Sequence, residues 1–207
     1  TNASGYYSFT DLLPGDYKVC EILNSADGWV NKSELCKTVS VTNGGTTSNT
    51  NFFNFKCVNI SGLKWEDLNG DGDKDEGEPI VAGVTINLTG ADTKTTTTNE
   101  KGEYSFRVCN GGNVSIDEVN PDSKVWYKTY PTTDHDLTLV SGGTYNNYDF
   151  GNAKYAKIYG YKYRDINGNG VLDSSDLSST LSGWVIELYD GLTNVLIGTY
   201  TTLADGY

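Results

Sequence analysis

The strongest constraint on this chain is that it repeats itself. Three segments recur about 100 residues later, 62–70 as 160–168, 82–88 as 182–188, and 2–9 as 99–106. A long, nearly fixed period means that one folding unit is copied along the chain, and small insertions in turns account for the drift in spacing. A unit of about 100 residues has the usual size of a β-sandwich domain.

Short alternating runs between turn signals predict strands. Apolar and polar residues alternate in Val84–Thr89 and again in Tyr159–Tyr163, and such alternation gives a strand one face for a core. Asn-Gly-Gly turns stand at 43–45 and 110–112, and no long segment carries an apolar stripe of helical period. The sequence therefore predicts an all-β fold made of tandem β-sandwich repeats.

The boundaries of the repeats do not coincide with the first and last residues of the sequence. Phe53–Phe55 and Tyr148–Phe150 are typical of unit ends. We predict the C-terminal half of a repeat at 1–55, a complete repeat at 56–152 and the N-terminal half of a repeat at 153–207. A half-repeat leaves a sheet edge and half a core uncovered. Two explanations stay open: a segment of a long tandem array, or halves that complete each other between molecules, head to tail, and build a filament.

The front half of each repeat carries an acidic loop with regular spacing. Residues 67–78 fit the pattern D-x-[DN]-x-[DN]-G-x5-E, and residues 165–176 fit it with Asp in the last place. Alternate side chains of such a tight loop converge, and Ca²⁺ takes about six to eight oxygen ligands. Two structural Ca²⁺ sites are predicted, with the ligands Asp67, Asn69, Asp71, Asp73, Asp75 and Glu78 in the first loop and Asp165, Asn167, Asn169, Val171 (through its carbonyl), Asp173 and Asp176 in the second.

The alternative interpretation of each loop is a polar turn that binds no ion. Two matches at equivalent places in a repeat favour calcium, and Mg²⁺ seldom uses a cage of protein ligands alone. A calcium switch of the EF-hand type and a dockerin-like module both need helices beside the loops, whereas strand-like segments precede these two. We therefore expect the ions to stiffen the fold.

Taken together, these motifs resemble the B-type repeat domains of serine-aspartate-repeat surface adhesins, which are relatives of the collagen-adhesin B-type fold. The resemblance rests on G-x-K-[WY]-x-D-x-N-G-[DN]-G, on the following x-G-V-x-[IV]-x-L strand, on G-x-Y-x-F, and on residues 13–21, which are similar to L-x-P-G-x-Y-x-V-x-E. It implies an Ig-like or prealbumin-like β-sandwich that is stiffened by calcium and acts as a stalk or spacer on a cell surface.

The resemblance also implies an isopeptide bond within a repeat, between a lysine and an Asn or Asp, promoted by a buried glutamate. Glu21 and Glu118 lie at the position of that glutamate. The position expected for the lysine is occupied by Trp65, which places Lys64 on the opposite face of its strand. On this argument the sequence speaks against the bond.

Four cysteines provide another kind of cross-link. Cys20 and Cys36 lie in the first half-repeat, and Cys57 and Cys109 lie in the complete repeat. An even number in an extracellular-looking chain predicts two disulfides, Cys20–Cys36 and Cys57–Cys109. The alternative is four buried thiols in a cytosolic protein. No C-x-x-C spacing exists, so neither zinc binding nor thioredoxin-like chemistry is indicated.

Glycosylation is permitted at five N-x-[ST] sequons, which begin at Asn2, Asn31, Asn59, Asn87 and Asn113. The chain is so rich in Asn, Ser and Thr that such sequons also arise by chance. Attached glycans are therefore a prediction that the sequence allows without requiring them.

Charge and missing motifs narrow the function. The formal net charge of −12 disfavours nucleic acid and anionic membranes as partners, and no apolar run reaches transmembrane length. No nucleophile elbow, Cys–His arrangement or phosphate loop indicates an enzyme. The lack of methionine predicts a processed product or a piece of a longer chain.

We predict an extracellular structural protein, secreted or on the cell surface, whose repeats form a stalk, layer or filament. Its partners are expected to be adjacent repeats or copies of itself, arranged head to tail. The alternative function is a ligand-binding adhesin module.

Overall fold

The structure is a computed structural model that describes residues 1–23 and 27–204. Over these residues the regular elements are all strands, which confirms the all-β prediction. The strands are β1 Gly15–Cys20, β2 Trp29–Asn31, β3 Cys36–Val41, β4 Asn54–Lys56, β5 Val58–Glu66, β6 Thr85–Gly90, β7 Lys94–Thr97, β8 Glu103–Val108, β9 Gly112–Glu118, β10 Trp126–Tyr130, β11 His135–Leu139, β12 Phe150–Lys154, β13 Val185–Tyr189 and β14 Leu196–Thr201. In the described part of the chain, no helix has the length and hydropathy that a membrane span requires.

The backbone divides into two compact units, Thr1–Tyr155 and Ala156–Tyr207. The finer division of the sequence into a half-repeat, a complete repeat and a second half-repeat stays a prediction. The two units are described separately below.

Two four-stranded sheets lie within the first unit, in the stretch predicted as the complete repeat, and this name is kept below for that stretch. One has the order β10-β12-β5-β8 and the other the order β11-β9-β6-β7. The strand pairs are antiparallel except β5 and β12, which run parallel. Alternate residues of both sheets bury one apolar core, because side chains at every second position share a strand face. The core residues are Phe55, Val58, Ile60, Val84, Ile86, Leu88, Tyr104, Phe106, Val108, Val114, Ile116, Leu139 and Phe150.

Two smaller ribbons precede the complete repeat in the first unit. Strand β1 pairs with β3, and β2 pairs with β4. Each ribbon repeats a pairing of the complete repeat: Tyr17 lies opposite Val39 as Val114 lies opposite Leu137. The second unit contains the hairpin β13–β14, which repeats the β6–β7 hairpin.

Both predicted cysteine pairings are present as disulfides in the structure. Cys20 and Cys36 are direct cross-strand partners on β1 and β3. The Cys57–Cys109 bond lies immediately beside the first paired positions of β5 and β8. Each bond therefore joins two neighbouring strands.

Candidate functional site

A lysine, a glutamate and an asparagine are buried together in the complete repeat. Lys64 is on β5 and Asn152 on the adjacent strand β12, whereas Glu118 ends β9 in the facing sheet. Their exposed fractions are 1% for Lys64, 0% for Asn152 and 5% for Glu118. Lys64 Nζ lies 3.4 Å from a carboxylate oxygen of Glu118 and donates to the carbonyls of Trp65 and Phe150 at 3.1 and 3.3 Å. These three side chains connect the two sheets inside the core.

The structure places Lys64 on the core-facing side of β5, contrary to the expectation from alternation along this strand. Val58, Ile60 and Lys64 are an even number of residues apart, and all three are buried on the core side of β5. Trp65 is on the other face, where its ring lies 5.8 Å from the ring of Tyr130. The expectation that Trp65 takes the core-facing position was therefore wrong, and Lys64 takes it.

The polar atoms of this cluster are poorly satisfied. Both carboxylate oxygens of Glu118 and both polar atoms of the Asn152 amide are buried without a regular hydrogen bond among the described residues. Each buried polar group left without a partner costs about 1–3 kcal/mol, and native structures keep few of them. Apart from the Glu118–Lys64 ion pair, the polar atoms of Glu118 and Asn152 are thus available to react.

Burial drives both ionisable groups of the cluster toward their neutral forms. Desolvation lowers the pKa of the Lys64 amine to about 8, although the nearby Glu118 carboxylate opposes this shift. Desolvation likewise raises the pKa of Glu118, against the opposing influence of the Lys64 charge and the Asn152 amide. A neutral amine is a nucleophile, and a carboxyl group that holds a proton can act as an acid. The cluster thus places an amine, a carboxamide and a proton carrier in one dry site, the components of an acyl transfer.

Sequence reasoning located Lys64 and Glu118 but missed Asn152. A signal for it was available, because the chain reaches an asparagine two residues after a phenylalanine in both copies of the last strand, at Phe52–Asn54 and Phe150–Asn152. Asn54 also donates to Glu21, the counterpart of Glu118.

The first acidic loop is held by its own side chains. Asp67 accepts from the amides of Gly70 and Gly72 at 2.6 and 2.8 Å. Glu78, in the last position, accepts from the amides of Leu68 and Asp75 at 2.7 and 3.0 Å. The loop is therefore closed on itself from both ends by carboxylates.

Three predicted ligands of this loop come together at its centre. The amide nitrogen of Asn69 lies 2.8 Å from a carboxylate oxygen of Asp71 and 3.0 Å from one of Asp75. Gly72, in the sixth position, has φ of +87°, a left-handed conformation that glycine adopts without strain. Desolvation acts to raise the pKa of Asp67, but hydrogen bonds from Thr129 and from the loop amides outweigh it and lower the pKa.

The second loop adopts the same arrangement. Asp165 accepts from the amides of Gly168 and Gly170 at 2.6 and 2.7 Å, and Asn167 donates to Asp173 at 2.6 Å. Asp176 replaces the final glutamate and still accepts from the amides of Ile166 and Asp173, at 2.9 and 3.1 Å. The shorter final side chain therefore preserves the closure of the loop.

The donor set fits a calcium site in part. Asn side chains and a backbone carbonyl complete the predicted ligand sets, and oxygens of these kinds suit Ca²⁺. Within residues 1–23 and 27–204, however, no group of three or more His, Cys, Asp or Glu side chains is placed to hold a metal ion. Calcium binding by the two loops stays a prediction.

The five sequons differ in accessibility. Asn2, Asn59 and Asn113 are exposed, whereas Asn31 and Asn87 are half-buried. The Asn31 amide also donates to Glu21 at 2.8 Å. Glycosylation at all five positions stays a prediction.

Comparison with known proteins agrees with this architecture. Residues 58–151 match the family model of the SdrD B-like domain. The whole chain is 29% identical over 237 residues to serine-aspartate repeat-containing protein D of Staphylococcus aureus (strain Newman), of which it spans 17%. It is 27% identical over 246 residues to serine-aspartate repeat-containing protein F of Staphylococcus epidermidis, of which it spans 14%. The chain thus corresponds to a small part of each relative.

Among solved structures, the shaft pilin SpaA of Lactobacillus rhamnosus GG aligns with a TM-score of 0.36 and 13% identity, over 64% of this chain and 61% of the pilin. The minor pilin GBS52 of Streptococcus agalactiae aligns with a TM-score of 0.36 and 13% identity, over 73% of this chain and 65% of the pilin. Scores this low support no argument about the present chain.

The family match and the relatives confirm the expected extracellular, cell-surface location. They also agree with the motifs from which the resemblance was drawn. The chain is similar over its whole length to serine-aspartate repeat-containing proteins D and F, and its residues 58–151 match the family model of the SdrD B-like domain.

Proposed function

We propose that the chain is a structural stalk element, in which an amide bond between Lys64 and Asn152 fastens each complete repeat. The observation that carries this proposal is the buried cluster of Lys64, Glu118 and Asn152, in which the Glu118 carboxylate has an ion pair but no regular hydrogen bond and the Asn152 amide has no regular hydrogen bond. An ordinary core is destabilised by such atoms. When Lys64 is joined to Asn152, the reactive polar atoms are consumed in the reaction, and the amide bond remains in the folded domain.

The reaction uses the groups already in the cluster. The neutral Nζ of Lys64 attacks the side-chain carbonyl carbon of Asn152 and forms a new C–N bond. The bond from that carbon to Nδ2 then breaks, and Nδ2 leaves as ammonia with a proton that Glu118 transfers from Nζ. The balance is one amine and one carboxamide giving one secondary amide and one ammonia, without an oxidant or a cofactor.

Intact mass is the direct test of this bond. The reduced, denatured chain is expected to weigh about 17 Da less than its sequence, the mass of one ammonia, and a digest should contain one peptide pair joined through Lys64 and Asn152. Glu118→Gln should restore the full mass, whereas Glu100→Gln, which changes an exposed carboxylate of a turn, should keep the deficit. A wild-type chain at full sequence mass would refute the bond whether or not the Glu118 variant folds.

The proposed stalk also includes two structural Ca²⁺ ions, one in each acidic loop. The support is the shared geometry of the loops, in which Asn69 meets Asp71 and Asp75 and Asn167 meets Asp173. Bound Ca²⁺ would offset the mutual repulsion of the carboxylates that each loop gathers around its asparagine. The ions would thereby stiffen the start of each repeat.

Calcium binding is tested by counting ions. Calorimetric titration of the chelator-treated chain should give two Ca²⁺ per molecule, and Ca²⁺ should raise its melting temperature by mass action. Asp71→Ala and Asn169→Ala should each remove one ion, while Glu100→Ala should remove none. Unchanged melting after chelation, together with no binding heat, would contradict the calcium part of the proposal and leave the amide bond untouched.

A further inference from the structure

A second lysine lies beside the buried cluster. Lys128 is on β10 and stands directly opposite Asn152 in the register of β10 and β12. Its ammonium also lies 5.5 Å from the centre of the Phe150 ring, and the carbonyl of Phe150 is one of the two that accept from Lys64. Lys128 therefore neighbours both ends of the proposed amide bond, although the reaction described above gives it no role.

Lys128 connects the edges of the two sheets. Strand β10 forms the edge of one sheet and β11 the edge of the other. The Lys128 ammonium forms an ion pair with Asp117 on β9 and a second one, at 3.7 Å, with Asp134 just before β11. The Lys128 side chain is 25% exposed, whereas those of Asp117 and Asp134 are 46% and 51% exposed. Water thus screens the two anions more than the cation.

The positive charge of Lys128 acts on both ionisable groups of the cluster. Burial is the main cause of the lowered pKa of Lys64, and the charge of Lys128 lowers this pKa further. Burial raises the pKa of Glu118, and the charges of Lys64 and Lys128 oppose that rise. A nearby cation thus favours the neutral amine, which can attack, and the carboxylate, which can accept a proton.

The attack itself creates a negative charge on the residue opposite Lys128. When Nζ of Lys64 adds to the carbonyl carbon of Asn152, an electron pair moves onto the carbonyl oxygen, and Glu118 takes the proton from Nζ. Asn152 is 0% exposed, and in such a dry site a fixed cation stabilises a developing anion more than it would in water. The oxygen loses this charge when the bond to Nδ2 breaks and ammonia leaves with the proton.

We infer that Lys128 is a positioning residue for the proposed amide bond, and that its positive charge, held opposite Asn152, speeds the attack by Lys64. It acts on the reacting side chains through its charge, since the Asn152 amide has no regular hydrogen bond. The inference rests on the proposed function, because it concerns the same bond.

The alternative is that Lys128 and Asp117 only hold the two sheets together. Lys128→Met and Asp117→Asn remove the same ion pair, so a purely structural pair would give the two variants similar effects. The first makes the surroundings of the cluster more negative and the second makes them more positive. If charge matters, amide formation is therefore slower in Lys128→Met and no slower in Asp117→Asn.

The time course of amide formation in the full chain decides between these two roles. A short pulse of cell-free synthesis provides freshly made chains, and intact mass then follows the loss of about 17 Da. We expect Lys128→Met to react about tenfold more slowly than the wild type, a smaller effect than the loss of a donor that bonds directly to an oxyanion. Lys128→Arg keeps the charge and should react like the wild type, and Asp117→Asn should react at least as fast.

Lys154→Met is the matched control. It removes a lysine from the other strand of the β10–β12 pair, one that has its own ion pair with Glu66 and lies over the Trp126 ring. This variant should keep the wild-type rate. Circular dichroism of each finished chain checks that it folds.

Wild-type speed in Lys128→Met would overturn the inference, as would equal slowing of Lys128→Met and any one of Lys128→Arg, Asp117→Asn and Lys154→Met. If Lys128→Met does not fold, slower amide formation in Asp117→Asn would by itself overturn the inference. In each of these cases, a wild-type chain that has lost one ammonia leaves the proposed function standing. A wild-type chain at full sequence mass would refute the bond, and the role of Lys128 with it.

Discussion

Two leucines at equivalent places in the repeat differ in burial, and truncating each of them measures how much that burial stabilises the fold. Leu88 on β6 is 0% exposed in the sandwich core, and Leu188 at the same place on β13 is 43% exposed. We expect Leu88→Ala to destabilise the complete repeat strongly and Leu188→Ala to have a small effect on the isolated chain. The two substitutions are chemically identical, so only the surroundings differ.

The expected magnitudes follow from burial. Truncating a fully buried leucine removes its transfer free energy and leaves a cavity, at a cost of about 3–5 kcal/mol. For a domain of this size, each kcal/mol corresponds to a melting temperature change of about 4–8 °C, so Leu88→Ala should lower the melting temperature by at least about 12 °C. Leu188 keeps much of its side chain in water and leaves no enclosed cavity, so its truncation should cost less than about 1 kcal/mol.

Thermal unfolding followed by circular dichroism provides the assay. The unfolding transition of the complete repeat should move in Leu88→Ala and stay in place in Leu188→Ala. Equal shifts in the two variants would refute the reasoning, because they would mean that β13 is as well covered as β6 within a single chain.

Three further outcomes are expected. Gly62→Ala should lower the melting temperature sharply, since a Cβ at Gly62 would lie 2.0 Å from a backbone carbonyl oxygen, whereas Gly160→Ala, with no atom within 4 Å, should have almost no effect. Reduction of the disulfide that spans 52 positions should destabilise the complete repeat by about 4 kcal/mol in urea titrations. The variant Asn152→Ala cannot form the amide, and burial lowers the pKa of its Lys64 to about 8 from 10.5. Between these pH values the unfolded chain binds more protons than the folded chain, so the free energy of unfolding should rise by roughly 3 kcal/mol from pH 8 to 10.5. The rise should disappear when Lys64 is also replaced by Met.

Local sequence signals were sufficient for the strands and for the cross-links between neighbours. Alternation in Val84–Thr89 correctly predicted which residues of β6 enter the core, because a strand with one buried face shows its period directly. The cysteines could be assigned because each pair falls within one repeat, and Cys20 and Cys36 are indeed cross-strand partners. These features depend on residues that are close together in the sequence or that belong to the same repeat.

The buried cluster could not be predicted by the same means. Hydrophobic alternation along β5 breaks down between Gly62 and Trp65, and a rule that places apolar residues inside selects Trp65 rather than Lys64. What holds Lys64 in the core is a carboxylate on the facing sheet, Glu118, and a buried charge is tolerated when such a partner is present. Periodicity in one strand contains no information about a partner on another.

The position of the cluster explains why one amide bond would matter for a stalk. Strands β5 and β12 carry the chain into and out of the repeat and lie side by side in parallel, so tension along the stalk shears these two strands against each other. Lys64 lies on the first and Asn152 on the second. Once they are joined, the load passes from β5 to β12 through a covalent bond, and the residues between them, which include the other six strands and the first acidic loop, no longer carry it. The amine and the carboxamide that would react are thus placed on the two strands whose covalent connection would protect the rest of the domain.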